Sequence, residues 1–183
     1  MKPKEILVFG ASGQIGRHLI RKLTKNNYKV VAVTRNIHQK GYILKTQANP
    51  GYLEIVELPY FDVKKISSLL EECSICINLV GILFEKRKNY FKNIHTDFPN
   101  LLSKLSKKKN IEKLIHLSSL GGEKSIDSNY AISKLNGENI VKNNFDRAII
   151  LKPSIVYSVD DKFTTNFMTL LNRLPIMPIY YEG

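Results

Sequence analysis

Apolar residues in this chain fall into short unbroken runs separated by stretches of helical spacing. Ile6-Leu7-Val8-Phe9, Val30-Val31-Ala32-Val33, Ile75 to Val80 and Lys113 to Ser118 are four such runs. Runs of this length read as strands buried on both faces. Leu53 to Leu58 alternates weakly as the third strand in chain order, and Arg147 to Lys152 forms a sixth, stopped by Pro153. Helices are predicted from Gln14 onward, over Asn36 to Gln47, over Val63 to Cys73 and over Ser128 to Asn143. A longer one covers Asn89 to Lys109, with a kink or break at Pro99, and Asp160 to Leu174 reads as one more. Asn49-Pro50-Gly51 is a turn. This alternation predicts an α/β protein with a doubly wound parallel sheet in the order 3-2-1-4-5-6. Right-handed crossovers then bring Gly10 to Gly16, Thr34-Arg35, Asp62-Val63, Asn78 to Gly81 and Ser118-Ser119 to one crevice.

The turn after the first run carries Gly10-x-x-Gly13-x-x-Gly16, a close variant of the dinucleotide-binding fingerprint. Gly10 permits a tight exit from the strand, Gly13 lets backbone approach a pyrophosphate, and Gly16 lets the helix pack closely. The N–H groups and positive dipole end of that helix suit phosphates. Acidic residues that bind the ribose 2′-hydroxyl of NAD stand after the second strand in such sites. Here that place reads Val33-Thr34-Arg35-Asn36. With no acid there, and Arg35 suited to grip a 2′-phosphate, NADPH is expected over NADH.

Length and composition bound the picture. With 183 residues, 43% hydrophobic and 24% charged, the chain matches one soluble globular domain. No apolar run approaches the ~20 residues that cross a bilayer. The first strand begins almost at once, so no signal peptide is expected and a cytoplasmic home is. The net charge is +12, with cations at Lys86-Arg87-Lys88 and Lys104 to Lys109. A solvated face is the first expectation, a membrane or protein dock the second. No nucleic-acid module accompanies the charge, so nucleic acid is not an expected partner. Cys73-x-x-Cys76 closes a helix and enters a strand, the reverse of a redox pair's placement, and the four histidines show no metal-ligand spacing. Both cysteines are expected to pack in the core, and no metal is expected.

Tyr130-Ala131-Ile132-Ser133-Lys134 places a phenol and an ammonium four apart on one helix face. Beside a nicotinamide this pair has a chemical sense: the cation lowers the tyrosine pKa, and Tyr130 exchanges a proton with a substrate oxygen.

Taken in order, Gly10-x-x-Gly13-x-x-Gly16, Asp62-Val63, Asn78-Leu79-Val80-Gly81 and Tyr130-x-x-x-Lys134 resemble the motifs of the short-chain dehydrogenase/reductase superfamily, in its extended or atypical branch. Longer strings, Asn78 to Glu85, Ile111 to Ser118 and Ala148 to Tyr157, are similar to those of the nucleotide-binding accessory subunits of respiratory complex I and their bacterial relatives. The resemblance implies a Rossmann fold holding NADPH through Gly10, Ser12, Gly13, Gln14, Ile15, Gly16, Arg35, Leu79, Val80, Gly81, Ser118 and Lys134. It puts Asp62-Val63 near adenine and Pro153-Ser154 near the nicotinamide end. It also implies two function classes. One is a structural or assembly role with complex I subunits at the cytoplasmic face of the inner membrane. The other is an NADP-dependent reductase, epimerase or dehydratase. Two positions depart from the family pattern: Leu120 stands where the extended branch carries a serine, leaving Ser119 as the candidate hydroxyl, and Ile94 stands where many relatives carry asparagine. The apolar end, Pro178 to Gly183, leads to the expectation that a smaller C-terminal substrate region is missing.

Overall fold

In the computed structural model, residues 5–85, 88, 90–123, 127–158 and 161–174 are described. Along them run β1 (Glu5–Phe9), α1 (Gln14–Lys25), β2 (Lys29–Thr34), α2 (Ile37–Lys45), β3 (Leu53–Glu57), α3 (Val63–Glu72) and β4 (Ile75–Asn78). A π-helical turn (Lys92–Asp97), α4 (Phe98–Lys108), β5 (Lys113–Leu117), α5 (Asn129–Asn144), β6 (Ala148–Leu151) and α6 (Lys162–Arg173) follow. The sheet is parallel throughout, in the order β3-β2-β1-β4-β5-β6, as the alternation of runs predicts. The expectations placed on Lys86-Arg87, Asn89, Asp160 and the 178–183 end lie outside the described residues.

Alternate residues of each central strand feed opposite layers, which is why those strands read as continuous apolar runs. Leu7 and Phe9 join Ile66 and Leu70 of α3, Phe98 and Leu102 of α4 and Val141 of α5. Ile6 and Val8 join Ile20 of α1 and Leu44 of α2. Cys73 and Cys76 are fully buried in the first of these layers. Burial, reinforced by the neighbouring Cys73, pushes the Cys76 thiol well up, the opposite of what a reactive thiol needs. Lys107 and Lys108 sit in the last turn of α4, where cations complement the carbonyl end, and Lys109 pairs with Glu71 of α3.

The helix predicted over 89–109 differs in one respect. Pro99 does not break it but enters the first turn of α4. Proline has no N–H to give to the carbonyl four residues back, that of His95. The chain widens just before it, and the Phe98 N–H bonds to Asn93 O, the five-residue spacing of a π turn. The His95 carbonyl instead meets α5, where a Cβ on Gly137 would lie 1.8 Å from its oxygen. Gly137 therefore sets how closely α5 approaches the π turn. Gly137→Ala should destabilise the protein by about 2 kcal/mol or more, because overpacking outweighs the ~1 kcal/mol that alanine gains in a helix. The urea midpoint reads this, and an unchanged or raised midpoint would contradict the contact.

Candidate functional site

The crevice begins at Gly10, which takes φ +76 as the chain leaves β1. A Cβ there would stand 2.8 Å from the Leu79 carbonyl carbon, so the turn lies directly against the end of β4. A Cβ on Gly16 would fall 2.4 Å from Ala11 O and 2.5 Å from Gly10 O. Gly16 thus closes α1 onto the turn's own carbonyls rather than onto the sheet. Gly13 is the N-cap of α1, no side chain caps that helix, and its first turn holds no acid. Half-buried Ser12 and exposed Gly13 line this helix start, and backbone N–H groups there suit a diphosphate. The Gln14 side chain turns away, donating to Val156 O (3.2 Å) and Ser158 Oγ (3.0 Å). Gln14 and Ile15 can therefore contribute backbone at the first helical positions.

At the end of β2, Arg35 is exposed, and its Nη1 lies 3.4 Å from Tyr90 Oη. Glu57, at the end of β3, accepts from Ile37 N at 2.9 Å. This carboxylate beside the start of α2 escaped the sequence reading, because it comes from the neighbouring strand. Asp62 is the N-cap of α3, its Oδ1 accepting from Lys64 N (2.8 Å) and Lys65 N (3.1 Å), and Val63 beside it is exposed. Pro153 O accepts from Leu120 N at 3.0 Å, while Ser154 is exposed.

Buried polar groups gather below the ends of β4 and β5. Asn78 Oδ1 accepts from Val80 N, and its Nδ2 donates to His116 Nδ1, both at 3.1 Å. Burial, with Lys134 second, pulls His116 down to about 3, so its ring is neutral. Lys134 is 5% exposed and donates to Leu117 O at 2.5 Å. A Cβ on Gly81 would lie 3.9 Å from Lys134 Nζ and 3.7 Å from His95 Nε2, so the exposed end of β4 opens onto both. Burial pulls the Lys134 ammonium down to about 8, with Glu138 working the other way.

Ser119 and Tyr130 are neighbours, and the Ser119 side chain works in favour of the ionised phenol. Ser118 points elsewhere, donating to Glu138 Oε2 at 2.9 Å. Glu138, almost fully buried, also accepts from Lys142 (2.6 Å) and Lys152 (2.8 Å). Burial works to raise this carboxyl, yet those three bonds hold it at about 2. Leu120 is exposed. The expectation that Lys134 lowers the Tyr130 pKa is corrected. Burial raises it and Ser119 opposes only in part. At neutral pH Tyr130 is a phenol that can donate a proton, not a phenolate. Ile94 is buried and Asn93 exposed, so the polar side chains reaching α5 from the π turn are those of His95 and Thr96, both onto Ser133.

Comparisons with known proteins agree with this architecture. The NAD dependent epimerase/dehydratase family matches residues 6–174. The chain is 29% identical over 160 residues to mouse NADH dehydrogenase [ubiquinone] 1 alpha subcomplex subunit 9, mitochondrial, covering 87% of this chain and 42% of that protein. The Dictyostelium discoideum protein of the same name is 28% identical over 175 residues, 96% of this chain and 49% of its own length. The chain thus spans less than half the length of these curated relatives. Among solved structures, Bordetella bronchiseptica WbmH in complex with NAD+ superposes with a TM-score of 0.74 at 17% identity, covering 92% of this chain and 62% of that one. A match over nearly the whole chain, on a sheet with this strand order and a glycine turn against β4, makes the protein a member of the NAD dependent epimerase/dehydratase family.

Proposed function

We propose that this chain is a nicotinamide-dinucleotide-binding protein, with NADPH preferred, that serves as an accessory or assembly partner of a respiratory NADH dehydrogenase. The observation that carries the binding is the turn itself. Gly10 and Gly16 leave no room for side chains and Gly13 leaves little, and the start of α1 has no side-chain cap, so backbone N–H groups face the place where a diphosphate fits. Gly10, Ser12, Gly13 and the backbone of Gln14 and Ile15 would hold the phosphates. Leu79, Val80 and Gly81 would form the opposite wall, and Lys134 would reach the ribose beside Gly81. The nicotinamide supplies hydride chemistry when bound; the chain's own residues orient it and place the Tyr130 proton.

Preference for NADPH is supported by the exposed Arg35 guanidinium at the end of β2, with no acid from Thr34 to Asn36. Recombinant protein should bind NADPH at least about tenfold more tightly than NADH by calorimetry. Arg35→Ala should erase that difference while leaving NADH binding unchanged. Equal affinities in the parent would refute the preference, and no heat from either coenzyme would refute the binding.

The accessory role is supported by the names of the mouse and Dictyostelium relatives. In this reading the protein works in the cytoplasm, at the inner-membrane face, beside complex I subunits. Tagged full-length protein should co-purify with them, and its deletion should lower assembled complex. Normal complex I assembly and activity after deletion would count against the role.

The placement of Ser119 beside Tyr130 favours a second reading, an active reductase, epimerase or dehydratase. There Tyr130 donates its proton to a developing substrate alkoxide, and Ser119 supplies the hydroxyl absent at Leu120. In a carbonyl-substrate screen followed by NADPH absorbance, Tyr130→Phe should then lower the rate by at least about a hundredfold. Equal rates in parent and variant would exclude this mechanism.

A further inference from the structure

One imidazole in the crevice wall makes more directed contacts than packing requires. His95, 1% exposed, sits in the π-helical turn Lys92–Asp97, a conformation that often marks functional positions. Its Nε2 lies 3.0 Å from Ile82 N. A backbone N–H can only donate, so Nε2 is bare and the proton of the neutral ring is on Nδ1. Nδ1–H then donates to Ser133 Oγ at 2.9 Å, which leaves the Ser133 hydroxyl to donate to Tyr130 O at 2.7 Å. Each proton along this path has a single assignment. The ring also stacks on Phe91 (centroids 5.3 Å, planes 17° apart) and meets Tyr130 edge-on (5.5 Å, 88°).

We propose that His95, as the neutral Nδ1–H imidazole, is a positioning residue that ties Gly81-Ile82 at the end of β4 to the turn of α5 carrying Tyr130 and Lys134. It touches neither the reacting atoms nor the phosphates and acts through those two segments. Its consequence for coenzyme affinity rests on the dinucleotide reading above; the link itself does not. An imidazolium could not accept from Ile82 N. It would also face the Lys134 ammonium. The titratable groups around His95 are Lys134 and Tyr130 on α5 and His116 on β5. Burial, then Lys134, holds the ring down at about 4, so the link persists through neutral and mildly acid pH.

Nitrogen-15 NMR of the histidine side chains in the intact chain tests the tautomer directly. His95 should show a protonated Nδ1 and a bare Nε2, unchanged from about pH 8 to about pH 5. A proton on Nε2, or titration near the ordinary 6.5, would overturn the proposal. Two variants test the coupling. His95→Phe keeps the stacking on Phe91 and Tyr130 but has no donor or acceptor, whereas His95→Gln keeps both. The phenylalanine variant should lose hydrogen-exchange protection at the Ile82 amide and bind NADPH about tenfold more weakly, with the glutamine variant recovering most of each. Unchanged Ile82 protection or unchanged affinity in His95→Phe would overturn the link. If the parent itself binds no coenzyme, the dinucleotide reading falls, and the tautomer and the Ile82 amide still decide the role of His95.

Discussion

The backbone of Gly10 lies against the backbone of Leu79, and the crevice follows from that contact. A side chain at Gly10 would overlap Leu79 C and O and crowd Val80 N, and the positive φ favours glycine as well. The turn can therefore leave β1 while staying pressed to β4 as β4 ends. Gly16 repeats the logic one helical turn later, drawing the start of α1 down onto the carbonyls of Gly10 and Ala11. Between them the two contacts fix where the uncapped N–H groups of α1 stand relative to Leu79, Val80 and Gly81. A methyl group at either place would tilt the helix start and misaim the donors.

The opposite wall is set by charge rather than shape. Tyr130, Lys134, Glu138 and Lys142 recur every four residues along α5, so they share one face. That face passes from half-exposed Tyr130 to buried Lys134 and Glu138 and out again to exposed Lys142. Burying an ammonium and a carboxylate is expensive unless each is bonded. Lys134 donates a hydrogen bond to the Leu117 carbonyl, and Glu138 accepts bonds from Ser118, Lys142 and Lys152. Those bonds reach the ends of both β5 and β6. Glu138 thereby holds Ser118 from below while the Leu120 N–H is held sideways by Pro153 O. Ser119, between them, stands beside Tyr130.

The strands and their order were legible because central strands bury both faces, and an unbroken apolar run then has one reading. The glycine turn was legible for a related reason: the positive φ of Gly10 and the contact of Gly16 with the Gly10 and Ala11 carbonyls are set within the turn itself. What the chain text hid was convergence across elements. Glu57 reaches α2 from the strand next door, and Glu138 gathers side chains from β5, β6 and its own helix. His95 looked like a lone imidazole in a helix, and at ordinary helical spacing nothing marks it. Its partners exist only because Pro99 widens the preceding turn and Gly137 lets α5 approach. The expected lowering of the Tyr130 pKa failed on the same ground, since sequence gives the spacing of Lys134 but not the burial of the phenol between elements.

That last point bears on how the Tyr130–Lys134 pair is to be weighed. Retention of both residues would argue for turnover only if neither had another task. Lys134 has one: its ammonium satisfies a carbonyl at the end of β5, and replacing it would leave that buried acceptor unpaired and Glu138 short of a neighbouring cation. A scaffold that never turns over would keep this lysine for the same reason that an enzyme would. The nearness of Ser119 to Tyr130 bears on the question more directly, because a hydroxyl beside a neutral phenol is what proton donation to a substrate oxygen would use. Burial keeps the Tyr130 phenol neutral, so an argument for proton donation rests on Tyr130 and its neighbour Ser119 rather than on the presence of the lysine.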